Sequence, residues 1–251
     1  MLIRSPFEQF ELVSLVSVGF GSFDISFTNS TLIGLIGLIF LVCILRMVFW
    51  RGGYVIAGRW QLVFEGIYKL ILRMLKDSMG KAGSKYISLV LTLFLYILVM
   101  NLSGMIPYSY TVTSQLVITF VLALGVWIGK LFVGLKKHGI GLLGMFIPVG
   151  LPFGLVPFFV VIELIGFVIP VISLSVRLFA NMMSGHVLLK VLFGFTWLMF
   201  LNGGLLALID LLPLTVLICL LGLETAVALI QAYVFTLLTC IYIGDMEHGG
   251  H

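Results

Sequence analysis

Arg177 occupies the most demanding position in this sequence. It stands in a long apolar run, with no other charged side chain between Glu163 and His186. Arginine keeps its proton, because its pKa lies above about 12. Centring that charge in hydrocarbon costs about 3 kcal/mol on insertion scales, so the guanidinium must face protein or water. At roughly 100° per residue, Glu163, Ser173, Asn181 and Ser184 fall within about 40° of the Arg177 direction. Small and polar residues therefore share one stripe with the cation, and small side chains allow another helix to approach closely. The blander alternative is that Arg177 is tied to Glu163 or to backbone carbonyls.

His186, nine positions after Arg177, falls on the opposite side of an ideal helix and should face the interior of the chain. The next apolar run carries Glu224 and Gln231, seven residues apart and so nearly superimposed on one face. If the two runs form an antiparallel hairpin turning at Asn202-Gly203-Gly204, Arg177 lies level with Gln231 and His186 lies roughly level with Glu224. The His186/Glu224 level is then about 10 to 13 Å nearer one membrane surface at a rise of roughly 1.5 Å per residue. Burial can bring a histidine and a glutamate toward neutral pKa values, so the pair suits a proton relay from one side. Glu163, about 21 Å from Arg177 at the same rise, serves the other. Two offset proton paths parted by a permanent positive charge are the chemistry these residues suggest. A packed, hydrogen-bonded histidine remains the simpler alternative for His186. Lys190 and Asp210 suit snorkelling or hairpin-end positions.

The elements that must hold these residues belong in lipid. Of the 251 residues, 61% are hydrophobic and only 10% charged, and mean hydropathy is +1.26. No charge-rich stretch of domain size stands apart from the apolar runs, so a single membrane domain over 1–251 is expected. A bilayer core of about 30 Å needs roughly 20 apolar residues in a helix. Spans are expected at 31–50, in a helical hairpin over 86–135 comprising 86–107 and 111–135, and in a long tilted hairpin over 158–244. Residues 1–30 form an outer N-terminal segment. Pro148, Pro152, Pro157 and Pro170 punctuate the stretch before and within the first long helix, and Pro170 is a site for a kink. Within 61–80, Glu65, Lys69, Arg73 and Asp77 recur every four residues among Phe64, Ile67, Leu70, Ile71, Met74 and Leu75, which predicts an amphipathic helix lying on the membrane surface. The fold class is thus all-α and integral to the membrane, with about five transmembrane helices plus one surface helix.

Arg51, Arg59, Lys69, Arg73, Lys76, Lys81 and Lys85 cluster in one connection, and Lys130, Lys136 and Lys137 flank another two crossings later. The positive-inside rule places both inside, hence the N-terminus outside and the C-terminus inside. A sixth crossing within 141–157 would reverse the latter. Basic residues spread along loops exclude a nucleic-acid face. Cys43, Cys219 and Cys240 have neither disulfide nor metal-ligand spacing. No phosphate-binding glycine loop is present, and no metal or cofactor is expected. The N-terminus does not read as a cleaved signal or an arginine-rich transit peptide.

Four segments carry a family resemblance. Leu174-Ser-Val-Arg-Leu-Phe-Ala-Asn-Met-Met-Ser-Gly-His186 is similar to an RLFxNMxxGH signature, and Leu223-Glu-Thr-Ala-Val-Ala-Leu-Ile-Gln-Ala-Tyr-Val-Phe235 to the last helix of the same family. Ser5-Pro-Phe-Glu-Gln-Phe10 and Asn101-Leu-Ser-Gly-Met-Ile-Pro-Tyr108 match in order. The chain resembles subunit a of F-type ATP synthases, the proton-channel subunit of the Fo sector. That resemblance implies that Arg177 faces the carboxylates of a rotating c-ring and separates two half-channels. It implies Asn181 and Gln231 as polar neighbours, His186 and Glu224 in the outer half-channel, Glu163 on the inner side, and Ser173 and Asn101 along the path. Gly104 stands where bacterial members often have an aspartate. The His186/Glu224 order resembles mitochondrially encoded members, which implies the mitochondrial inner membrane. Implied partners are the c-ring, the lipid bilayer and other stator subunits including the peripheral stalk, and dimers of the synthase are left open. The subunit would conduct protons without itself being an enzyme. An independent ion carrier and a noncatalytic membrane anchor are the competing readings.

Overall fold

The computed structural model describes residues 10–17, 19–20, 23–24, 26–49, 58–106, 109–139, 141, 155–202 and 210–248. The expected turn at Gly203-Gly204 and the candidate sixth crossing, which falls mainly on 142–154, lie outside the described residues.

Among the described residues, the α-helices are α1 (Asn29–Phe49), α2 (Arg59–Met79), α3 (Ile87–Gly104), α4 (Leu116–His138), α5 (Val156–Asn202) and α6 (Leu211–His248). All except α2 include spans long and apolar enough to cross a bilayer, and at most 39% of any spanning window is buried within the chain. The remaining apolar surface therefore faces lipid or partner subunits. The all-α membrane architecture expected from composition holds. Two short antiparallel pairs were not expected, β1 (Ser14–Val16) with β4 (Phe27–Thr28) and β2 (Gly19–Phe20) with β3 (Phe23–Asp24). Thr28 and Thr31 then begin α1 with a reciprocal cap. The Thr28 amide donates to Thr31 Oγ1 at 3.0 Å, and the Thr31 amide donates to Thr28 Oγ1 at 3.5 Å.

Internal contacts divide the chain into two compact units. The first comprises Met1–Val42, Tyr96–Gln115 and Leu178–Ala232; the second comprises Cys43–Leu95, Leu116–Arg177 and Tyr233–His251. In the first, α1 meets α3 where Gly37 leaves room for Met100, since a Cβ at Gly37 would lie 2.9 Å from Met100 Cε. Ile97, Met100, Leu178, Met182, Ala228 and Ala232 are among the buried residues of this unit.

In the second unit, α2 buries Ile71, Met74, Leu75 and Met79, while Lys69, Arg73, Lys76 and Asp77 remain exposed. The apolar face that period 3.6 predicts is thus the packed one. Gly80, at φ 59°, ends α2 in a conformation that glycine adopts without a Cβ clash. The C-terminal end of α6 is clasped by polar contacts: Lys137 Nζ lies 3.3 Å from Glu247 Oε1, and the Tyr86 hydroxyl donates to Glu247 Oε2 at 3.2 Å. Helix α5 runs through Pro170 without a break in its assignment. Trp127 Nε1 donates to the Phe167 carbonyl at 3.1 Å, in the turn where the missing N–H of Pro170 weakens the helical ladder.

Candidate functional site

The first unit gathers polar side chains from α3, the loop after it, α5 and α6. His186 Nδ1 lies 3.6 Å from Glu224 Oε1, with side-chain exposures of 15% and 5%. On the other edge of the imidazole, Thr111 Oγ1 lies 3.0 Å from His186 Nε2. Two turns along α6, Asn181 Nδ2 donates to Gln231 Oε1 at 2.9 Å. Rising numbers on α5 meet falling numbers on α6, so the two helices run antiparallel here. Between Glu224 and Gln231 the buried Ala228 leaves its carbonyl to Asn101, whose Nδ2 donates to it at 3.3 Å. Asn101 is completely buried.

Several polar atoms in this group have no hydrogen-bond partner among the described residues: both carboxylate oxygens of Glu224, Asn101 Oδ1, Thr113 Oγ1 and Gln231 Nε2. Buried polar atoms are normally satisfied, and a connected set without protein partners suits solvation by water. Hydroxyl and imidazole lie at hydrogen-bonding distance, and the carboxylate stands 3.6 Å from the imidazole, so the three provide proton donors and acceptors in series. The loop that carries Thr111 is fixed independently. Ser114 Oγ donates to the Thr111 carbonyl at 2.6 Å, and Gln115 Nε2 donates to the Phe10 carbonyl at 3.0 Å and also to the Tyr110 hydroxyl. Burial raises the Tyr110 phenol above its ordinary pKa, partly offset by the hydrogen bond from Gln115, so Tyr110 stays neutral.

In the second unit, α5 carries Glu163, Ser173 and Arg177, all exposed. Among the described residues, no ion pair joins Arg177 to Glu163. Ser175, on another side of the helix, is buried against Thr119, with the hydroxyl oxygens 3.3 Å apart. Lys130 departs from expectation. Expected within the third span and flanking its loop, it lies in α4 as expected but is buried, at 6% exposure. Its Nζ sits 4.1 Å from the Phe167 ring centroid and 5.3 Å from that of Tyr242. Aromatic faces partly compensate a cation withdrawn from water. Glu163 and Asp245 are the two carboxylates whose charges act on Lys130. Lys136 and Lys137 stand in the last turn of α4 and are exposed.

Sequence reasoning did not single out Thr111, Gly185, Lys130 or Asp245 as site residues. A small residue beside a histidine was visible at Gly185, but its purpose was not. A Cβ there would come 2.6 Å from Glu224 Oε1. Thr111 and Lys130 had no signal within their own segments, since their partners lie 75 residues away for Thr111 and on α5 and α6 for Lys130. Among the described residues, no three His, Cys, Asp or Glu side chains converge as a metal site.

Comparison with known proteins gives a consistent result. The sequence profile of the family described as ATP synthase A chain matches residues 30–244. The chain is 46% identical over 245 residues to ATP synthase subunit a of Chondrus crispus, covering 98% of this chain and 96% of the relative. It is 45% identical over 244 residues to ATP synthase subunit a of Pylaiella littoralis, covering 97% and 98%. To ATP synthase subunit a of Rhizobium rhizogenes it is 43% identical over 251 residues, with both chains covered in full.

Proposed function

Because this chain belongs to the ATP synthase A chain family, we propose that it moves protons through two offset half-channels of the Fo sector and so couples proton flow to rotation of a c-ring. It is a multi-pass membrane protein and not itself catalytic. The whole chain acts as one membrane domain, with 1–30 on the outer side and the α5/α6 pair against the ring.

The observation that carries this reading is Arg177: an exposed guanidinium on a 47-residue apolar helix with one interior proline, without a carboxylate partner among the described residues. A cation that cannot release its proton is unstable against lipid and is satisfied by an opposing carboxylate from a partner subunit. Each c-ring carboxylate would be attracted as it loses its proton, and a proton attempting the direct route would meet the positive charge. Ser173 on the same helix is small enough for a ring helix to pass closely. Protons reach the ring by way of His186 and Glu224, with Asn101, Asn181 and Gln231 lining that path, and leave past Glu163. Each 100 mV of membrane potential supplies about 2.3 kcal/mol per proton, which the ring converts to torque. Other stator subunits and the peripheral stalk hold this chain against that torque. Relatives include algal and bacterial proteins. The likeness of the His186/Glu224 order to organellar members supports the mitochondrial inner membrane.

The test is Arg177→Ala in the assembled synthase, reconstituted into vesicles. The expected result is normal assembly with coupled ATP synthesis abolished. Synthesis at the normal rate would remove the proposal, and proton transport by the purified chain without a ring would favour a carrier instead.

A further inference from the structure

We propose that the Thr111 hydroxyl is a positioning residue for the proton relay, keeping Nε2 of His186 hydrogen-bonded in either tautomer while Nδ1 faces Glu224. The inference rests on the uptake path proposed above and adds to it a residue from the loop between α3 and α4.

Three observations place Thr111 in this role. It is buried, at 5% exposure, with Oγ1 3.0 Å from His186 Nε2 and 3.5 Å from the Gly104 carbonyl oxygen. Its backbone is held by Ser114, whose amide donates to the Thr111 carbonyl at 3.2 Å in addition to the side-chain bond. Space for its side chain is made by Gly104, where a Cβ would lie 2.6 Å from Thr111 Cγ2 and 3.0 Å from Oγ1. Glycine at 104, threonine at 111 and histidine at 186 therefore form one fitted stack.

The hydroxyl has one hydrogen and two acceptors in reach, so its orientation follows the imidazole. With the proton on Nδ1, toward Glu224, Nε2 accepts the Thr111 hydrogen. With the proton on Nε2, the ring donates to Oγ1, and the hydroxyl hydrogen turns to the Gly104 carbonyl. In the first state Nδ1–H faces the Glu224 carboxylate and the proton stays on the ring; in the second Nδ1 accepts a proton from protonated Glu224, giving imidazolium and carboxylate with Nε2–H still held by Oγ1, and the imidazolium can return that proton from Nδ1. No proton is created or lost by the rotation. The hydroxyl stabilises either tautomer and avoids leaving Nε2 buried without a partner.

The experiment compares Thr111→Val, Thr111→Ser and Glu224→Gln in the assembled synthase, each reconstituted into vesicles and read as ATP synthesis driven by an imposed proton gradient. Valine keeps the shape and removes the hydroxyl; serine keeps the hydroxyl and removes the methyl group. The expected result is synthesis about tenfold slower for Thr111→Val, below the roughly hundredfold effect at the low end for a group that transfers the proton directly. Thr111→Ser should restore most of the rate. A packing role predicts the reverse order, with serine the worse of the two, and that order would overturn the inference. So would valine at the wild-type rate while Glu224→Gln is slow. If Glu224→Gln also runs at the wild-type rate, the uptake path itself fails, separately from the role of Thr111.

Discussion

The backbone of Gly185 rests against the carboxylate of Glu224: a Cβ built at Gly185 would stand 2.6 Å from Oε1 and 2.9 Å from Cδ. No side chain fits there unless the carboxylate moves. Because Glu224 is buried and His186 follows Gly185 directly, the glycine sets how closely carboxylate and imidazole approach.

Replacing Gly185 by alanine should push Glu224 away from His186 without unfolding the protein, since the crowded atom ends a rotatable side chain. The expected outcome is assembled synthase with proton-driven synthesis slowed by about a hundredfold, the scale of losing one aligned proton-transfer group. A rate equal to wild type in reconstituted vesicles would show that the spacing is immaterial.

Arg177→Lys retains a positive charge and should still fail. An ammonium loses its proton far more readily on desolvation than a guanidinium does. Vesicles containing the variant should therefore leak protons without ATP synthesis, as followed by a pH-sensitive dye. A tight, fully coupled variant would mean that charge alone, rather than a permanently held proton, suffices.

Asn101→Ala removes a buried side chain that donates to the Ala228 carbonyl at 3.3 Å. The lost hydrogen bond and the space left behind should cost about 1–3 kcal/mol. Thermal unfolding of the complex in detergent should show it as a lower midpoint, and an unchanged midpoint would show that the contact is not holding α3 against α6.

Lys130→Met should divide stability from function. Removing a buried amine that sits against the aromatic faces of Phe167 and Tyr242 should leave the midpoint unchanged or raise it, because the cost of desolvating a charge disappears. Glu163 and Asp245 would meanwhile lose a nearby positive charge, so proton release and synthesis should slow. A large fall in thermal stability with unaltered synthesis would contradict both expectations.

The helices were legible because their signals are local. Hydropathy sufficed for the spans, and a four-residue charge recurrence sufficed for α2. Boundaries were less so: the third span, expected to start at 111, begins at Leu116, because Val112–Ser114 form a 3-10 turn. That turn is held by hydrogen bonds reaching back to Phe10, over a separation that no window along the chain can sense. The strand pairs near the N-terminus were missed for a related reason, since segments of two or three residues give too short a period to read.

The sequence by itself determined the solvent, the spans and the roster of ionisable residues stranded in them, because the free energy of placing a side chain in lipid is a property of that side chain and its immediate run. It also determined the side of each helix on which a residue lies. Tertiary structure alone decided which of these residues meet: Thr111 with His186, Gly185 with Glu224, and Lys130 between Phe167 and Tyr242. Such meetings depend on the rotation and offset of separate helices, which are fixed by the sum of many weak packing contacts distributed along their lengths.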